Sequence, residues 1–153
     1  MMKCGLNSYD VAELFNPYCY RINENYRNAK EITEYINTNL GTNMRPIGVH
    51  GNVKILGIHE CKFKTSGRTA ILFDGDCSKL LKILNQKNIK FNKTFENNKI
   101  MLNKINLLSI LDSRGLEFET VYVWMPENDK DDMLNNKKYV AYTRALNELT
   151  ILA

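Results

Sequence analysis

The chain has 153 residues, of which 44% are apolar and 25% charged, with a formal net charge of +4. That length suffices for one domain with a real core, and the composition is ordinary for a globular protein. No apolar run approaches the ~18 residues that argue a membrane span, the Met-Met-Lys-Cys-Gly start lacks the apolar stretch of a secretory signal, and so mild a basic surplus admits nucleic acid as a partner without arguing for it.

Residues 1–20 form a lead-in with little periodicity, in which Pro17, Tyr18 and Tyr20 suggest extended chain. Asn28 with Glu31 three residues on has the form of a capping box. Ala29, Ile32, Ile36 and Leu40 then make one apolar helical stripe, and Gly41 supplies the stop. Asn25-Tyr26-Arg27 would sit in the loop just before this helix. Met44–Asn52 reads as a loop with Pro46, Gly48 and Gly51. Val53–Ile58 reads as a strand, and a weaker one is expected at Cys61–Lys64.

Arg68–Phe73 is a compact apolar strand ended by Asp74-Gly75-Asp76. Ser78–Lys87 reads as a helix with Leu80, Leu81, Ile83 and Leu84 inward, followed by a short strand at Ile89–Phe91. Asn92–Asn103 is polar and irregular, the best candidate for an insertion point. Asn106–Leu111 and Glu119–Met125 read as buried strands, the second apolar on both faces as in a parallel sheet covered by helices. Asn128–Asp132 is an acidic loop with nothing to force a metal. A helix at Asn136–Asn147, with Tyr139, Tyr142, Leu146 and Leu149 at the spacing of a buried stripe, leads to a last strand at Leu149–Leu152. Strands alternating with helices of this length predict a single α/β layered domain over 1–153, with a mainly parallel sheet.

Cys4, Cys19, Cys61 and Cys77 form no CxxC pair, and His50 and His59 stand at no ligand spacing to them. No metal centre is expected. Reduced thiols in a cytoplasm are the expectation for a chain with an ordinary core.

Three short constellations carry chemistry-bearing residues: Asn25-Tyr26-Arg27, Ser109–Phe118 (which ends in Ser113-Arg114-Gly115-Leu116-Glu117-Phe118), and Tyr142-Thr143-Arg144. Each has a bland reading. Tyr26-Arg27 is packing plus a surface charge, Gly115-Leu116-Glu117 is a turn into a strand, and Arg144 is a solvated charge pairing with Glu148 at i+4. Ligands of open α/β sheets sit at the carboxyl ends of strands. The second constellation follows the Asn106–Leu111 strand directly, which would set Gly115 and Glu117 at such an edge.

Taken in order, the three resemble motifs IV ("NYRS"), V ("AKGLEF") and VI ("VALTRA") of the UvrD/Rep/PcrA-like superfamily 1 DNA helicases. Asn28 replaces the small residue usual in motif IV. The resemblance covers roughly residues 20–153. It implies a RecA-like, P-loop-NTPase-type domain, the second motor domain (2A) of such a helicase, which closes over ATP and Mg²⁺ held mainly by a separate Walker-bearing domain. By the same resemblance Tyr26 would stack on adenine, Arg27 and Arg144 would meet the γ-phosphate, and Glu117 with Gly115 would reach the ribose. Single-stranded DNA and the Walker-bearing domain, in the same polypeptide, are the implied partners, and no membrane is involved.

The sequence contains no Gly-Lys dipeptide and so no G-x-x-x-x-G-K-[ST] phosphate loop. The chain is expected to be part of a longer polypeptide and inactive alone. Leu111 stands where the family usually has a histidine, and Asp76 would repel a phosphate. Trp124 and Phe118 are candidates for base stacking, with core packing as the alternative. The rival expectation is a degenerate, non-catalytic helicase-like domain acting as a DNA- or protein-interaction module.

Overall fold

The computed structural model describes residues 23–125 and 133–153. The lead-in and the acidic loop at Asn128–Asp132 lie outside the described residues. The elements run β1 (Glu24–Asn25), α1 (Lys30–Leu40), β2 (Arg45–Pro46), β3 (Asn52–Leu56), β4 (Thr69–Phe73), α2 (Ser78–Gln86), β5 (Phe91–Lys93), α3 (Thr94–Asn97), β6 (Ile105–Ser109), β7 (Phe118–Trp124), α4 (Leu134–Tyr142) and β8 (Ala145–Leu152). β1 and β2 pair by themselves, and the other six strands form one sheet in the order β3-β8-β7-β4-β6-β5. Every pairing in that sheet is parallel.

All five residues of β4 are buried, because side chains alternate between two covered faces. Ala70 and Leu72 point to the side where Ile32 and Ile36 of α1 and Ala141 and Tyr142 of α4 pack with Val121, Val123 and Leu149. Ile71 and Phe73 point to the other side, against Leu80, Ile83 and Leu84 of α2, with Leu107, Tyr122 and Trp124. Each Val, Leu, Ile or Phe among them contributes about 1.5–3 kcal/mol by leaving water.

The structure departs from the sequence reading in five places. Asn28 does not cap α1: Ala29 occupies the cap position and no side chain bonds there. The Asn28 amide turns inward instead, because the backbone around Arg144 offers it two buried carbonyls. Gly41 does end α1 as expected, at φ 66° with its N–H on Asn37 O. Cys61–Lys64 forms no strand; a turn closed by Cys61 N–H on Gly57 O (3.1 Å) leads into irregular chain. The short strand near Ile89 lies two residues further on, at Phe91–Lys93.

The Asn92–Asn103 segment is ordered by buried amides. Asn106 Nδ2 donates to Thr69 O (3.0 Å) and Met101 O (2.8 Å), and its Oδ1 accepts from Met101 N (2.8 Å) and Asn92 Nδ2 (3.0 Å).

The fifth departure is the late helix. It ends at Tyr142, and Ala145–Leu152 is a strand. Ala145-Leu-Asn-Glu-Leu149 satisfies a helical period, but pairing with β7 on one side and β3 on the other outweighs local preference. Tyr139 is accordingly 40% exposed rather than part of a buried stripe.

Candidate functional site

Arg27 lies in the four-residue link between Asn25 and α1. Asn25 Oδ1 accepts the N–H groups of both Arg27 and Asn28 at 3.1 Å, a local turn made by the side chain itself. Asn25 Nδ2 donates to Asn28 Oδ1 (2.9 Å). Asn28, fully buried, then donates through Nδ2 to Thr143 O (3.0 Å) and Ala145 O (2.6 Å). The carbonyls on either side of Arg144 are thus tied to the loop that carries Arg27.

Ala29 N–H adds a bond to Leu146 O (2.8 Å). The loop beneath is equally tight. A Cβ on Gly48 would stand 2.1 Å from Asn28 O, and one on Gly51 would stand 2.2 Å from Asn147 O. Only glycine allows the backbones to approach this closely.

Arg144 occupies the turn between α4 and β8. Its Nε donates to Val140 O (3.1 Å), one terminal nitrogen to Leu116 O (3.3 Å) and the other to Thr143 Oγ1 (3.2 Å). Three of the five guanidinium N–H donors are committed to holding the group still, which leaves two to offer. Burial, and next the nearby Arg27, lower its pKa, while Glu117 and Tyr139 act the other way. Arg144, Arg27 and Glu117 therefore lie within one another's field. The i+4 pairing with Glu148 does not occur, because Glu148 lies in β8 and pairs with Lys64 (2.9 Å).

Glu117 bonds Arg27 at 3.1 Å, with side chains 39% and 46% exposed. An ion pair this wet contributes on the order of 0–1 kcal/mol, so either partner can turn to a ligand at little cost. Gly115 takes φ +76°, a conformation that favours glycine, with open space where a Cβ would be. Leu116, between them, packs on the core while its carbonyl receives Arg144. Tyr26 is 69% exposed, donates its hydroxyl to Glu24 Oε2 (2.6 Å) and shares an open groove of about 410 Å³ with Arg27, Met44 and Tyr139.

The three constellations do assemble, but not at the carboxyl edge. Glu117 immediately precedes β7 and Arg144 immediately precedes β8, and Phe118 N–H bonds Arg144 O (3.0 Å). They stand at the amino edge of the central strands. The chain leaves β6 at its carboxyl end, and a parallel β7 obliges residues 110–117 to carry it back across the sheet before Glu117 is reached.

The residues weighed for and against nucleic-acid contact in the sequence fare differently. Leu111 is 59% exposed and offers no donor. Asp76 accepts from Ser78 N (3.0 Å) and Ser78 Oγ (2.7 Å), which lowers its pKa and fixes the start of α2. Phe118 and Trp124 are core residues, 0% and 6% exposed, and stack on nothing outside the protein. Among the described residues no three His, Cys, Asp or Glu side chains gather as metal ligands.

Sequence reasoning missed Asn28 as the joint of the site. Its signal was present as the amide standing where a small residue is usual in the motif it resembles.

No family model matches this chain, and no curated protein sequence matches it. Solved structures do. The crystal structure of the C-terminal domain of a possible DNA helicase from Lactobacillus plantarum WCFS1 superposes with a TM-score of 0.59 at 20% identity, covering 84% of this chain and 86% of that one. The arterivirus nonstructural protein 10 helicase gives a TM-score of 0.51 at 14% identity, covering 85% of this chain and 24% of that one. This chain thus spans about a quarter of the viral protein's length. The architecture is a helicase C-terminal domain fold of the RecA-like type, with helices on both faces of a six-stranded parallel sheet.

Proposed function

We propose that this chain is the second motor domain (2A) of a UvrD/Rep-like DNA helicase. It supplies Arg144 and Arg27 to the γ-phosphate of ATP, held with Mg²⁺ on a Walker-bearing partner domain, and couples hydrolysis to movement along single-stranded DNA. The observation that carries this reading is the meeting of Arg27, Glu117 and Arg144 from three sequence-distant segments, joined through the buried Asn28 amide. A guanidinium is permanently charged and forks onto phosphate oxygens. Arg144 is held by three protein contacts yet keeps two donors, as a group aimed at developing charge requires.

Arg27 is the softer of the two, because it must leave Glu117 to engage a phosphate. Tyr26, exposed on the lip of its groove, would stack on the adenine, and Glu117 with Gly115 would border the ribose. The chain lacks a Walker A loop of its own, so the arginines act across an interface that must close. The test is to join the chain to its Walker-bearing half and replace Arg144 with Ala. ATP turnover should fall by about 10³-fold or more, with nucleotide affinity changing far less. An unchanged rate would remove Arg144 from the reaction.

The second reading, a non-catalytic interaction module on the same fold, is favoured by Leu111 and by the engagement of Asp76 with Ser78. Neither residue gives the chain a phosphate contact. Full ATPase activity in the joined Arg144→Ala protein would move the balance to this module.

A further inference from the structure

The face of the sheet covered by α2 is not apolar throughout. Across β3, β8 and β7 the register sets Lys54, Thr150 and Tyr122 side by side in one row. In a parallel sheet both faces are normally buried under helices and filled with apolar residues. Here a lysine and a threonine stand where such residues would be. Among the described residues no helix lies over this end of the face. The covering is the irregular segment after β3, held down by Ile58 and Cys61 in the core and by Phe63 against the Tyr122 ring (4.9 Å between centroids).

That segment brings Lys62 and Lys64 over the row, leaving a groove of about 230 Å³ lined by Lys54, Lys62, Lys64, Tyr122, Thr150 and Glu148. Tyr122 is 4% exposed, and its hydroxyl accepts the Lys64 N–H (2.8 Å). Among the described residues its own proton has no acceptor, so the groove holds a fixed donor at its floor. Lys64 also bonds Glu148 (2.9 Å), the one carboxylate in the lining. Lys54 and Lys62 carry no ion pair among the described residues.

We infer that this groove binds the phosphodiester backbone of a single-stranded nucleic acid, at a surface separate from the Arg27–Arg144 edge. Cationic side chains beside a buried hydroxyl donor match phosphate oxygens. The groove is smaller than the ~300–1,000 Å³ of small-molecule pockets, which suits one phosphate of a passing strand better than a free nucleotide. Phe63 and Tyr122 are packed against each other, so no aromatic face is free for a base. The contact therefore reads backbone and not sequence. In taking a single strand as the occupant this inference rests on the proposed motor reading, although it uses none of the same residues.

The test is fluorescence anisotropy of the full chain with a labelled oligothymidylate of ~20 nucleotides, longer than the ~4–16 that one binding fold typically covers, across a salt series. The Lys54→Glu/Lys62→Glu double variant should bind at least tenfold more weakly. Its salt slope should be shallower by about 0.7, from the one phosphate contact that is lost. A charge-matched control, Lys99→Glu/Lys104→Glu at the far edge of the sheet, should lose less than twofold, and circular dichroism should match the parent for both. Equal losses in the two variants would overturn the proposal, because the effect would then be net charge alone. So would competition by polyglutamate as effective as by unlabelled oligothymidylate, which would make the occupant an acidic polypeptide. Absence of binding by the parent at ~0.1 mM, the weak end of non-specific affinity, would also overturn it. None of these results alters the expectation for Arg144→Ala.

Discussion

Asn28 shows how one amide can organise a site without touching a ligand. Its two donor bonds reach the carbonyls flanking Arg144, and its acceptor holds Asn25, whose own oxygen shapes the turn at Arg27. Replacement by Ala leaves two buried carbonyls and one amide short of partners. Each orphaned buried group costs about 1–3 kcal/mol, and local relaxation recovers part of that. Asn28→Ala should therefore destabilise the chain by about 2–3 kcal/mol, which for this size lowers Tm by roughly 5–10 °C. Thermal or urea unfolding of the purified variant measures it. A loss below ~0.5 kcal/mol would mean that the amide is a bystander and that Gly48 and Gly51, with their close backbone contacts, hold the loop by packing alone.

At the scale of elements, the first turn of α1 carries a second such tie. Glu31 accepts from Gly51 N (2.7 Å) and meets His50 Nδ1 (2.8 Å), which fastens the helix to the loop ahead of β3. The bond to His50 first, and the Gly51 amide next, bring its carboxyl down from 4.5 to about 2. A carboxylate whose pKa is lower folded than unfolded stabilises fully above the unfolded value, and that contribution is lost as pH falls through the folded one. The parent should accordingly lose stability between about pH 4.5 and 2 more steeply than Glu31→Gln. Urea midpoints taken across that range decide it, and parallel acid limbs for the two proteins would rule the tie out.

The same element scale explains what was legible beforehand. β4, β6 and β7 could be read because burial on both faces gives each a run of adjacent apolar residues, and α1 and α2 because their stripes keep the helical period. β8 could not be read over its first half. Ala145–Leu149 fits either period, and only the neighbours β3 and β7, distant in sequence, make it a strand. The candidate site was legible as three motifs in order. Its joint was not, because an Asn before a helix signals a cap unless one knows which carbonyls lie behind it. The amino-edge location was equally hidden, since it depends on residues 110–117 crossing back over the sheet.

For the whole molecule the proposed function implies a division of labour. The fold sets two arginines, a glutamate and a tyrosine along one edge, and the chain carries no loop that cradles phosphates. No helix among the described residues is long and apolar enough to cross a membrane. An edge built to complete another domain's site should bind nucleotide weakly by itself. With a Kd of ~10 mM or weaker, 1 mM Mg-ATP would stabilise the isolated chain by only ~0.06 kcal/mol. That corresponds to a Tm shift of roughly 0.2 °C, within the scatter of a melting curve. Joined to a Walker-bearing domain, the same residues gain a nucleotide held in place, and ATP should then raise Tm by several degrees. Scanning fluorimetry of the isolated and joined chains with and without Mg-ATP makes the comparison. A shift of several degrees in the isolated chain would require a phosphate cradle within its own sequence, and the split-site reading would fall.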